Sequence, residues 1–175
     1  MDLGAPNMDI TQDENGRIYV ANNFGLLIFN GESWKLINTA DGTKLRSVLA
    51  MGDRIYAGYQ KDFGYYQPNV KGELVFVSLA NKLPGNFRNF DEIWKIYAID
   101  EAIYFCGFDY IFKFEQEKIE TIVPESNLEI TYPFQKELYV QVTDLGLTQL
   151  KGTQFVLMEN GSFFKSRRIS KSCST

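Results

Sequence analysis

Residues Gln12–Ala21 read QDENGRIYVA and carry the clearest structural signal in this chain of 175 residues. The Asn15-Gly16 pair is typical of a tight hairpin turn, because both residue types tolerate a positive φ. The Ile18-Tyr19 pair that follows begins a short apolar stretch of the kind that forms a β-strand. A hairpin of two short strands is therefore predicted around this turn.

The apolar-tyrosine pair recurs three more times along the chain. The four tyrosines are 37, 48 and 35 residues apart, so the average spacing is 40 residues. They are Tyr19, Tyr56, Tyr104 and Tyr139. A period near 40 residues with about four short strands per unit is typical of a β-propeller blade. The sequence therefore predicts an all-β fold, a partial β-propeller of about four four-stranded blades.

The predicted propeller covers residues 3–164 without an internal domain boundary. Its blades are expected at about residues 8–37, 45–79, 93–123 and 128–158. Because sequence typical of a blade continues to Phe164, we expect an open arc of a larger propeller. Its open blade faces are expected to bind the remaining blades or a second copy of the chain. Residues 165–175 lose the strand pattern and gain serines, which predicts a disordered or artificial tail.

Composition narrows the classes of function. No run of about 18 apolar residues occurs, so no membrane span is predicted, and the N-terminal residues do not have the pattern of a signal peptide. Residues 1–164 carry a net charge of −8, which argues against nucleic-acid binding. The chain has two cysteines and no histidine, which excludes histidine-dependent catalysis and histidine-ligated zinc. No metal or cofactor site is predicted.

The innermost strand of each blade should line the central channel of a propeller. Four residues share a position there, ten residues before each repeat tyrosine: Asp9, Arg46, Trp94 and Glu129. The preceding position is apolar in every unit, and alternation along a strand places the two positions on opposite sides. We therefore expect the four residues to face the channel. There the indole could stack on a sugar, and the charged groups could form hydrogen bonds with its hydroxyls. The alternative is a water-lined channel in which Arg46 neutralises nearby carboxylates.

A second candidate site lies on the loops at the rim. The connection between the second and third units is long, from Ala80 to Glu92, and long loops of this kind often carry binding groups. It contains Phe87, Arg88 and Phe90, and the second unit contributes Tyr59 and Asp62 from another loop. The alternative is that these side chains only pack the blade edges.

Residues Gln12–Ala21, followed by Phe24-Gly25-Leu26, resemble the two-component-regulator propeller repeat. The resemblance continues in residues 91–96 and 103–105 and covers nearly all of residues 3–164. It implies a ligand-sensing ectodomain in which propellers precede a triple-tyrosine immunoglobulin-like domain, a membrane helix and an intracellular kinase or helix-turn-helix output. Such proteins are typical of Bacteroidetes-type bacteria, and many sense oligosaccharides. The resemblance also implies a periplasmic or other extracytoplasmic location.

Three functions follow as hypotheses. The first is an extracytoplasmic propeller segment of a bacterial two-component-type transcriptional regulator that recognises a glycan or another small ligand. The second is a protein-interaction scaffold without a small ligand. The third, a hydrolase, is disfavoured because the spacing from Asp13 to Gly16 is three residues, where the Asp-box of sialidase-type propellers requires two. We therefore expect a binding protein and not an enzyme.

Overall fold

Each repeat unit forms one antiparallel sheet with its four strands in chain order. The computed structural model describes residues 6–39, 42–165, 167 and 169. The strands of the first two sheets are β1 Asn7–Gln12, β2 Ile18–Asn22, β3 Gly25–Phe29, β4 Trp34–Asn38, β5 Leu45–Met51, β6 Arg54–Tyr59, β7 Phe63–Pro68 and β8 Leu74–Ser78. Those of the last two are β9 Lys95–Ile99, β10 Ala102–Cys106, β11 Ile111–Glu115, β12 Lys118–Ile122, β13 Leu128–Phe134, β14 Glu137–Val142, β15 Gly146–Lys151 and β16 Gln154–Leu157. The sheets are named the first to fourth blades below.

Three hydrophobic clusters join neighbouring blades. The first two blades share a cluster around Leu26 and Leu45, and the third and fourth share one around Ile111 and Val140. The cluster between the second and third blades is rich in aromatic rings, with Phe63 stacked on Phe112 at 4.7 Å between ring centroids. No cluster of described residues joins the fourth blade to the first. The predicted fold class, an open arc of four propeller blades, is therefore confirmed.

The hairpin between the first two strands of each blade turns through left-handed backbone, whether or not a glycine is present. The φ angle is +60° at Gly52, but it is also positive at Asp100 (+52°) and Lys136 (+66°). The Lys136 Nζ donates to a carboxylate oxygen of Asp100 at 2.7 Å, which links the turns of the third and fourth blades. The loss of the turn glycine in the later repeats therefore leaves the hairpins intact.

The connection between the second and third blades covers the edge of their shared cluster. It contains two short 3₁₀ helices, Ala80–Lys82 and Gly85–Phe87. Three of its apolar side chains are buried in the cluster: Leu79, Leu83 and Phe90. The long loop is thus part of the hydrophobic core.

The segment after the fourth blade begins with a 3₁₀ helix, Gly161–Phe164. The buried Gln141 amide donates to the carbonyl oxygens of Phe164 at 2.9 Å and Arg167 at 2.8 Å. It also accepts a hydrogen bond from the Ile169 backbone N–H at 3.1 Å. Lys165, Arg167 and Ile169 belong to the predicted tail, whose other residues lie outside the described ones. Gln141 thus binds Phe164, Arg167 and Ile169 to the fourth blade.

Candidate functional site

The strand register changes which residue of the first blade is equivalent to Arg46, Trp94 and Glu129. In the first blade, seven residues separate Tyr19 from its cross-strand partner Thr11, whereas six separate Tyr56 from Leu49. The same six-residue separation holds in the third and fourth blades. Because the first turn is one residue longer, the residue equivalent to Arg46 is Met8 and not Asp9. The prediction that Asp9 shares a position with Arg46, Trp94 and Glu129 is therefore wrong by one residue.

A β-bulge sets the direction of this position in three blades. The register shifts between Asn7 and Asp9, between Leu45 and Ser47, and between Leu128 and Ile130. The extra residues are Met8, Arg46 and Glu129. A bulge leaves one residue unpaired and bends the strand, so it re-aims a side chain. The side chains of Arg46 and Glu129 therefore do not follow the regular alternation of a strand.

Arg46 is held by three neighbours. Its guanidinium donates to the Glu92 carboxylate at 2.9 Å and to the Asn23 amide oxygen at 3.2 Å, and it lies 5.2 Å from the centroid of the Trp94 ring. The side chains of Arg46 and Glu92 are only 12% and 7% exposed. Desolvation offsets much of the attraction in a buried ion pair of this kind, so the pair is weak evidence for added stability. Arg46 thus packs over the ring of Trp94 and is itself fixed by Glu92 and Asn23.

Asp9 reaches the same region by another route. One of its carboxylate oxygens accepts from Lys95 Nζ at 3.2 Å, and the other accepts from the Val48 backbone N–H at 3.3 Å. Asp9 thus connects the inner strands of the first, second and third blades. It also holds Lys95 beside Trp94.

A groove of about 630 Å³ lies between the inner strands of the third and fourth blades. We name it the inner groove. Its lining includes both Trp94 and Glu129, so the structure brings together two of the four residues predicted for the channel. Further lining residues are Lys95, Tyr97, Cys106, Phe108, Thr131, Tyr132 and Ile169. The inner groove is therefore an aromatic surface with a small number of polar groups.

Burial keeps two groups of the inner groove protonated, the Tyr97 hydroxyl and the Cys106 thiol. Burial raises the pKa of Tyr97 to about 12, and its hydroxyl donates to the Thr131 carbonyl at 2.7 Å. Burial likewise raises the pKa of the Cys106 thiol to about 12. Both groups are neutral at physiological pH, and an inert thiol is the expected behaviour of a buried cysteine. Among the described residues of the lining, the charged side chains are Lys95 and Glu129.

Glu129 is oriented by its own blade. One of its carboxylate oxygens accepts a hydrogen bond from the Thr143 hydroxyl at 3.2 Å. Trp94 also contacts Phe108, whose ring meets it edge-on at 5.5 Å between centroids. Phe108 and Tyr132 are 36% and 47% exposed, so parts of both rings are accessible in the groove. The groove thus offers aromatic faces beside one ammonium and one carboxylate.

Tyr59 and Asp62 lie in a different cavity. This outer cavity, of about 400 Å³, is formed by the outer strands of the first and second blades. The Tyr59 hydroxyl is buried 2.5 Å from the Tyr66 hydroxyl, and burial raises the pKa of Tyr59 strongly. Burial also raises the pKa of Asp62. The structure therefore separates these two residues from Trp94 and Glu129.

Phe87 and Arg88 stabilise the loop that contains them. The Phe87 ring packs edge-on against Tyr110 at 5.6 Å between centroids. The Arg88 guanidinium donates to the carbonyl oxygens of Leu83 and Asn81, both at 2.8 Å. These contacts favour the loop-packing alternative for both residues.

Sequence reasoning did not include Lys95, Phe108 or Tyr132 in the site. Lys95 follows Trp94 directly, and Tyr132 lies three residues after Glu129, so both were close to a predicted position. Phe108 occupies the loop after β10, and no repeated pattern marks it. The available signal was proximity in sequence, to Trp94 for Lys95 and to Glu129 for Tyr132.

No protein-family model matches the sequence, and no curated protein matches it either. Solved structures do resemble the fold. The extracellular domain of a putative hybrid two-component system from B. thetaiotaomicron has a TM-score of 0.64 at 13% identity, covering 87% of this chain and 21% of that one. The WD40 β-propeller domain of Doa1 has a TM-score of 0.65 at 8% identity, with coverages of 87% and 53%.

A third similar structure is an enzyme. It is a catalytically inactive virginiamycin B lyase from Staphylococcus aureus with quinupristin, with a TM-score of 0.63 at 12% identity and coverages of 87% and 55%. The chain thus spans between about one fifth and just over half of the length of these three proteins. At such low identity these likenesses establish the propeller fold. Among the described residues, no helix is long and apolar enough to cross a membrane.

Proposed function

We propose that this chain is a ligand-sensing propeller segment from the extracytoplasmic part of a bacterial two-component-type regulator, and that its inner groove binds an oligosaccharide. The observation that carries the proposal is the presence of Trp94 and Glu129 in one groove, with Arg46 packed over the indole ring. The similarity to the extracellular domain of a hybrid two-component system supports the sensor context.

The chemistry of the inner groove suits a sugar. The partly exposed rings of Phe108 and Tyr132 can pack on the C–H faces of a pyranose. Lys95 supplies hydrogen-bond donors and Glu129 supplies acceptors for the hydroxyl groups at the rim of the ring. A volume of about 630 Å³ has room for more than one sugar unit and lies within the usual range for ligand sites. An oligosaccharide fits this combination of size and polarity.

A protein-interaction scaffold is the alternative, and one observation favours it. The first strand of the fourth blade exposes two aromatic side chains, Tyr132 and Phe134, and the last strand exposes Val156. Exposed apolar groups on a blade can receive another blade or a partner chain. This hypothesis expects association through the fourth blade and no response to saccharides.

Catalysis forms no part of the proposal. Among the described residues that line the inner groove, Glu129 is the single carboxylate. Hydrolysis of a glycosidic bond ordinarily uses two carboxyl groups on opposite sides of that bond. The arrangement therefore supports binding, although a structural neighbour is a lyase.

Truncating Phe108 tests the proposed site. An oligosaccharide that binds the wild-type chain is expected to bind the Phe108→Ala variant about ten-fold more weakly, because a stacking face is lost. Isothermal titration calorimetry against a panel of oligosaccharides measures this. Phe24→Ala is the matched control, since Phe24 is also an exposed phenylalanine on a loop after the second strand of its blade. Equal affinities of wild type and Phe108→Ala, or no binding by any oligosaccharide, would contradict the proposal.

A further inference from the structure

The outer cavity contains a carboxylate, Asp62, that forms no ion pair with a described residue. Its Oδ1 accepts hydrogen bonds from the Phe63 backbone N–H and the Ser78 hydroxyl, both at 2.7 Å. Its other oxygen accepts no hydrogen bond from a described residue. The carboxylate is therefore fixed in place with one oxygen available.

Burial and the lack of an ion pair with a described lysine or arginine both disfavour the charged form of Asp62. Burial raises the pKa of Asp62, and the hydrogen bonds from Ser78 and Phe63 lower it in part. A partly buried carboxylate is stabilised when an opposite charge approaches within about 4–6 Å. A cation that entered the outer cavity would supply the interaction that the described residues do not provide.

Aromatic rings form the wall beside the carboxylate. Tyr59 and Tyr66 both pack against Phe76, at centroid distances of 5.0 and 5.2 Å. Ile37 and Leu74 extend the apolar lining on either side. Aromatic faces attract ammonium groups, and apolar walls favour a hydrophobic body on the same molecule. The cavity of about 400 Å³ has the size of a small-molecule site.

From this arrangement we propose that the outer cavity binds a small organic cation that carries an aromatic or apolar group, with Asp62 as the anionic anchor. The ammonium contacts the free carboxylate oxygen, and the apolar body lies along Phe76, Ile37 and Leu74. This site is separate from the inner groove and does not depend on the function proposed there.

Calorimetric titration with 2-phenylethylammonium tests the proposal. We expect saturable binding to the wild-type chain and binding about ten-fold weaker, or absent, in the Asp62→Asn variant. The asparagine keeps the Oδ1 acceptor for Phe63 and Ser78, so the local fold is retained. Asp144→Asn is the matched control, because Asp144 is an exposed acid in the corresponding loop of the fourth blade, and it should bind the amine as the wild type does.

Two further comparisons keep the result unambiguous. The neutral analogue 2-phenylethanol should bind more weakly than the amine, because it carries no positive charge for Asp62 to attract. The proposal is overturned if the amine does not bind at millimolar concentration. It is also overturned if amine and alcohol bind equally, or if Asp62→Asn binds the amine like the wild type. Phe108→Ala should leave amine binding unchanged, which separates this site from the inner groove.

Discussion

Replacing Phe63 by alanine is expected to lower the free energy of unfolding by about 3–5 kcal/mol. The Phe63 side chain is fully buried, and its ring contacts Phe112 and Phe105, each at 4.7 Å between centroids, as well as Phe90 at 5.7 Å. Its loss would leave a cavity between the second and third blades that these rigid rings cannot fill. Urea unfolding followed by tryptophan fluorescence measures the change.

Phe24→Ala is the control for this variant. Phe24-Gly25 and Phe63-Gly64 are the same dipeptide where the third strand of the first and second blades begins, but Phe24 is 54% exposed. Its truncation is expected to change the free energy of unfolding by no more than about 0.5 kcal/mol. If the two variants lost similar stability, the aromatic cluster would not be the main source of packing between the second and third blades.

The Gly64→Ala variant is expected to lose about 3 kcal/mol of stability, at the upper end of the cost of overpacking. A Cβ atom at this position would lie 2.0 Å from the Val77 carbonyl oxygen. That oxygen belongs to β8, which pairs with β7 along its whole length. The strands would have to separate to admit the methyl group, because a backbone atom in a ladder cannot rotate away.

Gly85→Ala is the control that distinguishes the steric clash at Gly64 from the general effect of replacing a glycine by alanine. No atom lies within 4 Å of the Cβ position at Gly85, and its backbone is not left-handed. We expect its stability to stay within about 0.5 kcal/mol of the wild type. Thermal unfolding of both variants makes the comparison. A Gly64→Ala variant as stable as Gly85→Ala would mean that β7 and β8 are not paired as described.

The fold was predictable because each blade repeats its own local signals. The apolar-tyrosine pairs mark the second strand of every blade, and Tyr19 and Tyr56 are buried between neighbouring blades. The long-range pairing of a propeller follows once the repeat is recognised, since each blade is built from consecutive hairpins. No side-chain geometry was needed for that step.

The candidate site was less predictable because it depends on single-residue differences between blades. The longer turn at residues 13–17 is organised by Asp13, whose carboxylate accepts from the backbone N–H groups of Asn15 and Arg17 and from the Tyr19 hydroxyl. This turn shifts Asp9 by one position, and spacing alone does not reveal such a shift. A one-residue shift moves a side chain to the other face of a strand.

Burial of the loop residues also depended on tertiary structure. Phe24 and Phe63 have similar neighbours in sequence, but only Phe63 is covered by the connection that contains Leu79, Leu83 and Phe90. In the same way, Tyr59 was expected at a rim and lies buried against Tyr66 and Phe76. Composition cannot distinguish a covered loop from an open one.

Hydrogen–deuterium exchange of the chain with and without a bound oligosaccharide tests the central claim most directly. The proposal predicts protection of the segments that line the inner groove, at residues 94–97, 106–108 and 128–132, with little change around the outer cavity. Protection confined to the outer cavity or to the exposed surface of the fourth blade would contradict it, as would the absence of any protection by a saccharide.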